Sequence, residues 1–182
     1  GLTKAPAKID QDEPQFAVNL SDLMMPEITG TLVPADRVSL DLLIEWRAEY
    51  LVETLGEAPD EARRGATEAV DQYLAADSHR VLLVGDEPVA FTGLNARLPS
   101  IVQVGGVYTP PRLRKKGYAR QAVALHLKEI AKSGVREATL FAASEDAART
   151  YIAIGFRRIG SFSIILFQDP LPVAGSSERA KT

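Results

Sequence analysis

The chain has 182 residues and a mass of 19.7 kDa, which fits one domain able to bury a full core without staples. At 46% hydrophobic and 25% charged it has an ordinary globular composition, which excludes collagen, coiled coil and wholesale disorder as descriptions of the whole chain. It has no cysteine, which rules out disulfides and thiol nucleophiles, and its net charge of −3 argues against general nucleic-acid binding.

Residues 1–14 are rich in Lys, Ala, Pro, Asp and Glu and read as a flexible tail. Residues 15–26 (QFAVNLSDLMMP) carry apolar side chains that suit a strand, a docking arm or the end of an upstream domain. A first residue of Gly1 rather than Met suits a tag remnant or a piece of a longer protein. From residue 28 a mixed pattern begins. Residues 30–34 (GTLVP) suit a short strand. Asp36 or Ser39 can then cap a helix whose apolar stripe is Leu40, Leu43, Trp46, Tyr50 and Leu51, ended by Gly56. Pro59, Asp60 and Glu61 start a second helix that runs to about Ala76.

Residues 79–84 and 88–94 form a hairpin around Gly85, Asp86 and Glu87, and 101–108 form the next strand. A strong helix is predicted over 118–132, a strand over 137–142 and a short helix over 146–154, stopped by Gly155. Residues 156–159 and 162–167 close the series as two strands. The apolar run FSIILF of the last one is expected to be buried on both faces or to lie at a subunit interface, so a homodimer is one expected assembly. The order is β-α-α-β-β-β-α-β-α-β-β, a mixed α/β fold. The expected division is 1–27 as a tail or upstream remnant, 28–168 as the domain, and 169–182, which ends in GSSERAKT, as a second tail.

The most informative segment is VGGVYTPPRLRKKGYAR, residues 104–120. A strand runs into Pro110 and Pro111, which end it because proline cannot donate to a ladder. Arg112, Arg114, Lys115 and Lys116 follow, and Gly117 opens the next helix. A helix N-terminus presents unpaired N–H groups, and a glycine there lets a ligand approach the backbone. Four cations in an acidic chain point to an anion, most simply a phosphate or pyrophosphate. No GxxxxGK followed by Ser or Thr exists, nor a GxGxxG after a strand, which disfavours nucleoside triphosphates and NAD. His79 and His126 lie far apart and make no metal-ligand spacing. No apolar run reaches the ~18–20 residues needed to cross a membrane, and no signal peptide is visible, so a cytoplasmic protein without membrane or nucleic-acid partners is expected.

Arg114, Lys115, Lys116, Gly117, Tyr118 and Ala119 fit a Gln/Arg-x-x-Gly-x-Gly/Ala signature. With the strand before it, the helix after it and LFAASEDAARTYIAIGF downstream, this stretch resembles the GNAT N-acetyltransferase superfamily. The resemblance covers residues 81–167 closely and 28–80 more loosely, and it includes the element order. It implies a central, mostly antiparallel mixed sheet flanked by helices, and an acetyl group moved from acetyl-coenzyme A to a small-molecule or peptide amine, without a metal. It further implies that Val107, Tyr108 and Thr109 offer backbone groups to the pantetheine and the acetyl carbonyl. The amides of residues 114–119 would wrap the pyrophosphate, with Arg112, Lys115 and Lys116 in reach of the outer phosphates. Tyr151 matches the tyrosine that often serves as general acid, and Tyr108 is a lesser candidate. Ser144 stands where many members have a pantetheine-contacting asparagine, and it can equally cap the helix that follows. The alternative is a non-catalytic module of the same fold that holds coenzyme A or an acyl-coenzyme A.

The base is not assigned. Glu45 and Glu49 are spaced four apart on one helix face, which is expected to be solvated beside Arg37 and Arg47.

Overall fold

The computed structural model describes residues 6–167. Seven strands form one sheet in the order β2-β3-β4-β5-β6-β1-β7. The strands are β1 (Ala7–Asn19), β2 (Thr31–Pro34), β3 (His79–Val84), β4 (Glu87–Arg97), β5 (Ile101–Tyr108), β6 (Glu137–Phe141) and β7 (Arg157–Phe167). The helices are α1 (Leu40–Leu55), α2 (Pro59–Ala75), α3 (Tyr118–Ala131) and α4 (Glu145–Ile152). All pairings are antiparallel except that of β5 with β6. This is the mostly antiparallel mixed sheet that the sequence led us to expect.

The punctuation residues act as their chemistry dictates. Gly56 ends α1 in the left-handed region at φ 63°, and its N–H closes on Leu51 and Val52. Pro59 sits in the first turn of α2 with Asp60 and Glu61 beside it. Strand β3 sends alternate side chains to opposite faces. Val81 joins the core under α1 and α2, with Leu43, Trp46, Val70 and Phe91, whereas Leu82 joins Val89, Leu113 and Ala122 on the α3 side. A third group, including Phe16, Val104, Leu127, Leu140, Ile154 and Phe156, packs β1, β5 and β6 against α3 and α4.

Two expectations are corrected. Residues 7–14 are not a tail: they are the first part of β1, which lies between β6 and β7 and pairs with both. The sheet therefore crosses the expected boundary at residues 27 and 28. Residues 156–159 and 162–167 are not two strands: β7 is continuous through Gly160 and Ser161, because Gln15 and Pro14 of β1 pair with those residues. Nor is its apolar run buried on both faces. Strand β7 is the sheet edge, and Ile159, Phe162 and Ile165 are about half exposed, at 59%, 48% and 49%. The segment 169–182 lies outside the described residues. Among the described residues no helix is long and apolar enough to cross a membrane.

Candidate active site

Strands β5 and β6 pair only from Ile101 with Glu137 to Gln103 with Thr139. Beyond that point β5 stays with β4, and β6 stays with β1 through Leu140 and Phe141. The C-terminal ends of the two parallel strands thus part, leaving a cleft in the sheet. On its β5 side the register slips. Phe91 faces Tyr108 and Gly93 faces Gly105, so two residues, Gly106 and Val107, oppose Thr92. Gly106 takes φ +61°, as a bulge of this kind needs. Val107 and Thr109 are half-buried at this end, and the Thr109 hydroxyl is buried without a hydrogen-bond partner among the described residues.

The chain then turns through Pro110 and a short 3-10 turn, Pro111–Leu113, into the basic loop. Lys115 adopts φ +63° and Gly117 φ +78°, an alternation that turns successive N–H groups toward one concavity. The cap residue Gly117 offers no side chain to α3. The first intrahelical bond runs from Gln121 N to Gly117 O. Among the described residues the amides of 115–120 have no acceptor. The N-terminus of α3 is therefore a ready anion site beside the cleft.

The cations of the loop divide into two pairs. Arg112 is bonded to Glu87 at 2.8 Å. Arg114 holds Glu53 with both guanidinium ends, at 2.8 and 2.5 Å. Lys115 and Lys116 are exposed and join no ion pair among the described residues. Tyr118 packs its ring against the core group of Leu82 and Leu113, and Ala119 is half-buried on the next helical position.

Tyr151 on α4 is buried, its ring tilted against Phe156 at 6.0 Å. Its hydroxyl makes no hydrogen bond to the described residues. Burial pushes the phenol well above its ordinary value near 10, and the neighbouring Tyr50 phenol raises it further. It therefore carries its proton at neutral pH. Tyr50 is itself raised by burial, with Arg47 opposing from 5.0 Å over its ring and Glu13 of β1 adding to the rise. Strand β1, which sequence patterning left outside the domain, thus reaches the surroundings of Tyr151.

Ser144 is the N-cap of α4, and its hydroxyl accepts from Ala147 N at 3.2 Å. A cavity of about 250 Å³ opens beside it, lined by residues 11–14 of β1 and 142–145.

Of the two candidate bases, Glu45 is exposed as expected. Glu49 is exposed as well, and its carboxylate also accepts from the buried Tyr108 hydroxyl at 2.7 Å. Burial and that carboxylate together hold the Tyr108 phenol far above its ordinary value. Glu53 was not a candidate at all. The spacing of Glu45, Glu49 and Glu53 at four-residue steps was the available signal. His79 is buried, its ring stacked on Tyr73 at 3.6 Å and on Phe91 at 4.9 Å. His126 is also fully buried, with neither ring nitrogen bonded.

The model of the Acetyltransferase (GNAT) family matches residues 40–156. Among solved structures the chain is similar to a GCN5-related N-acetyltransferase from Kribbella flavida, with 18% identity and a TM-score of 0.59 over 88% of this chain and 59% of that one. A GCN5-related N-acetyltransferase from Sphaerobacter thermophilus is similar at 18% identity and TM-score 0.60, over 87% of this chain and 51% of that one. A predicted acetyltransferase from Clostridium acetobutylicum, solved with acetyl-CoA, is similar at 15% identity and TM-score 0.52, over 83% of this chain and 92% of that one. No curated protein matches. The chain spans about three-fifths of the Kribbella protein and half of the Sphaerobacter one. The family match covers β5, the basic loop, the uncapped α3 and Tyr151, and the chain belongs to the GNAT acetyltransferase family.

Proposed function

We propose that this chain is an acetyl-CoA-dependent N-acetyltransferase acting on a primary amine. The observation that carries the proposal is the run of amides at residues 115–120 that have no acceptor among the described residues, on the loop that follows β5 where its pairing with β6 has stopped. Backbone amides suit a pyrophosphate because they are already fixed in place. Acetyl-CoA supplies an activated acetyl thioester, which an amine can attack without a covalent enzyme intermediate. In this reading the β5 backbone at Val107, Tyr108 and Thr109 orients the pantetheine. An amide near the Gly106 bulge donates to the carbonyl oxygen as negative charge develops there. Tyr151 holds a proton for the departing thiolate, and its raised pKa keeps that proton available at neutral pH. Ser144 and the cavity beside it suit the pantetheine end of the site.

Calorimetric titration with acetyl-CoA, with ATP and NAD as controls, tests the binding half of the proposal. Selective binding of acetyl-CoA is expected; no binding to the folded chain would overturn it. An amine screen then supplies the acceptor. Against that acceptor Tyr151→Phe is expected to turn over roughly 10–100-fold more slowly with unchanged acetyl-CoA affinity. A full-speed variant removes Tyr151 from the mechanism. The second reading is a coenzyme A-binding module without catalysis. It is favoured by the tie between Glu49 and Tyr108, which occupies one of the two candidate bases. Tight binding with no turnover against a broad amine panel would select it.

A further inference from the structure

We propose that Arg114 is a positioning residue that latches the cofactor loop to helix α1, and not a ligand of the cofactor's phosphates. The inference rests on the acetyl-CoA reading of the loop and adds to it a coupling between that loop and α1.

The guanidinium is already committed. Its two ends donate to the two oxygens of Glu53 at 2.8 and 2.5 Å. Its Nε donates to the Thr109 carbonyl at 2.9 Å, and its carbon stands 5.8 Å from the centre of the Tyr108 ring. Three of its five N–H donors are thus used in one fork, which is the arrangement that makes arginine specific rather than merely cationic. One helical turn earlier, Glu49 takes the hydroxyl of the same Tyr108 at 2.7 Å. Two carboxylates at adjacent turns of α1 therefore grip the Tyr108 hydroxyl and Arg114, and Arg114 in turn holds the Thr109 carbonyl.

The charge balance agrees. Glu53 neutralises Arg114 toward any incoming anion, while Lys115 and Lys116 remain exposed on the same loop. The amides of 115–120 begin at the residue after Arg114. Fixing Arg114 on α1 therefore fixes the start of the anion-binding run. By linkage, occupying that run steadies α1 in return.

The test is acetyl-CoA titration of the wild type, Arg114→Gln, Glu53→Gln and the double variant. Both side chains changed are on the surface, and unchanged melting curves will verify folding. A latch makes the two single variants lose affinity alike, by roughly three- to tenfold, and the double variant no worse than either. A phosphate-ligand role gives the opposite sign at Glu53. Removing its charge would then free Arg114, and Glu53→Gln would bind as well as the wild type or more tightly. That outcome, or additive losses in the double variant, overturns the latch. Hydrogen exchange supplies the second readout. In the wild type acetyl-CoA is expected to slow exchange over residues 40–55 as well as over the loop. In Glu53→Gln the protection should stay in the loop alone. Equal protection of α1 in both proteins overturns the coupling. Failure of the acetyl-CoA reading itself would appear earlier, as a wild type that does not bind. A wild type that binds while the variants contradict the cycle removes only the latch.

Discussion

Strands β2 to β5 are covered on both faces, whereas β6 and β1 are covered on one and β7, at the edge, is exposed along most of its length. The core under α1 and α2 draws on β3, β4 and β5 and includes no residue of β6, β1 or β7. On the other face α3 and α4 pack against both halves. The two halves meet where the pairing of β5 with β6 stops after Gln103 and Thr139. The difference teaches why a cleft exists there. A helix pair holds β5 toward the first half through Tyr108, while β1 holds β6 toward the second through Phe16 and Gln15. The gap in the ladder is left open where each strand answers to a different neighbour.

The sharpest way to break this comparison is to remove one large core side chain from each half. Phe16→Ala and Phe91→Ala, both 2% exposed, are each expected to lower stability by about 3–5 kcal/mol in denaturant melts. Phe16→Ala losing under about 1 kcal/mol would make β1 an appended arm and not part of the core. Next in size is the boundary between the halves. Gly117→Val places a branched side chain at φ +78° with its Cβ 3.0 Å from Arg120 Nε. About 1–3 kcal/mol of strain should weaken acetyl-CoA binding by roughly 10–100-fold, read by calorimetry, while the melting curve stays cooperative.

The pH dependence of stability probes the doubly covered half. Burial, with smaller effects from nearby cations, pushes His79 down to about 3 and His126 down to about 4, from an ordinary 6.5. Above pH 6.5 both are neutral folded or unfolded. Below it the unfolded chain takes up protons that the folded chain refuses, so stability falls with pH until about 4 for His126 and about 3 for His79. The expected slope is up to about 1.4 kcal/mol per pH unit for each histidine. Denaturant titrations at pH 7, 6 and 5 measure it, and His126→Leu should remove its share. An unchanged slope in that variant would exclude His126 as a source. The smallest effect belongs to the bare edge of the other half. Ile165→Thr, at a position 49% exposed, should change stability by no more than about 0.5 kcal/mol. A larger loss would mean that something covers β7 in solution.

Much of the first half was legible because its signals are local. Gly56, Pro59, Gly117 and Gly155 each mark a helix end through their own backbone preferences, and the structure keeps them there. The basic loop that leads into α3 was legible for the same reason. Strand β1 was not. Its sequence AKIDQDEPQFAVN carries charges and a proline where a buried strand would alternate, and its apolar residues Phe16 and Val18 come only at the end. One face of that half is open, and there a strand advertises itself by alternation, which residues 10–14 (DQDEP) lack. Gly160 and Ser161 looked like a break for a similar reason, until β1 was in place to pair with them.

What this sequence settled alone is what lies within a turn or two of chain: where helices begin and end, and that a basic loop leads into α3 at Gly117. What the tertiary structure decided is who meets whom across long separations. Glu53 and Arg114 are 61 residues apart, and Thr139 and Phe16 are 123 apart. A backbone preference is a property of one residue and its neighbours and is present in the unfolded chain. A partner is chosen only when the whole sheet closes, because an ion pair or a strand edge has many equally suitable mates until packing removes all but one.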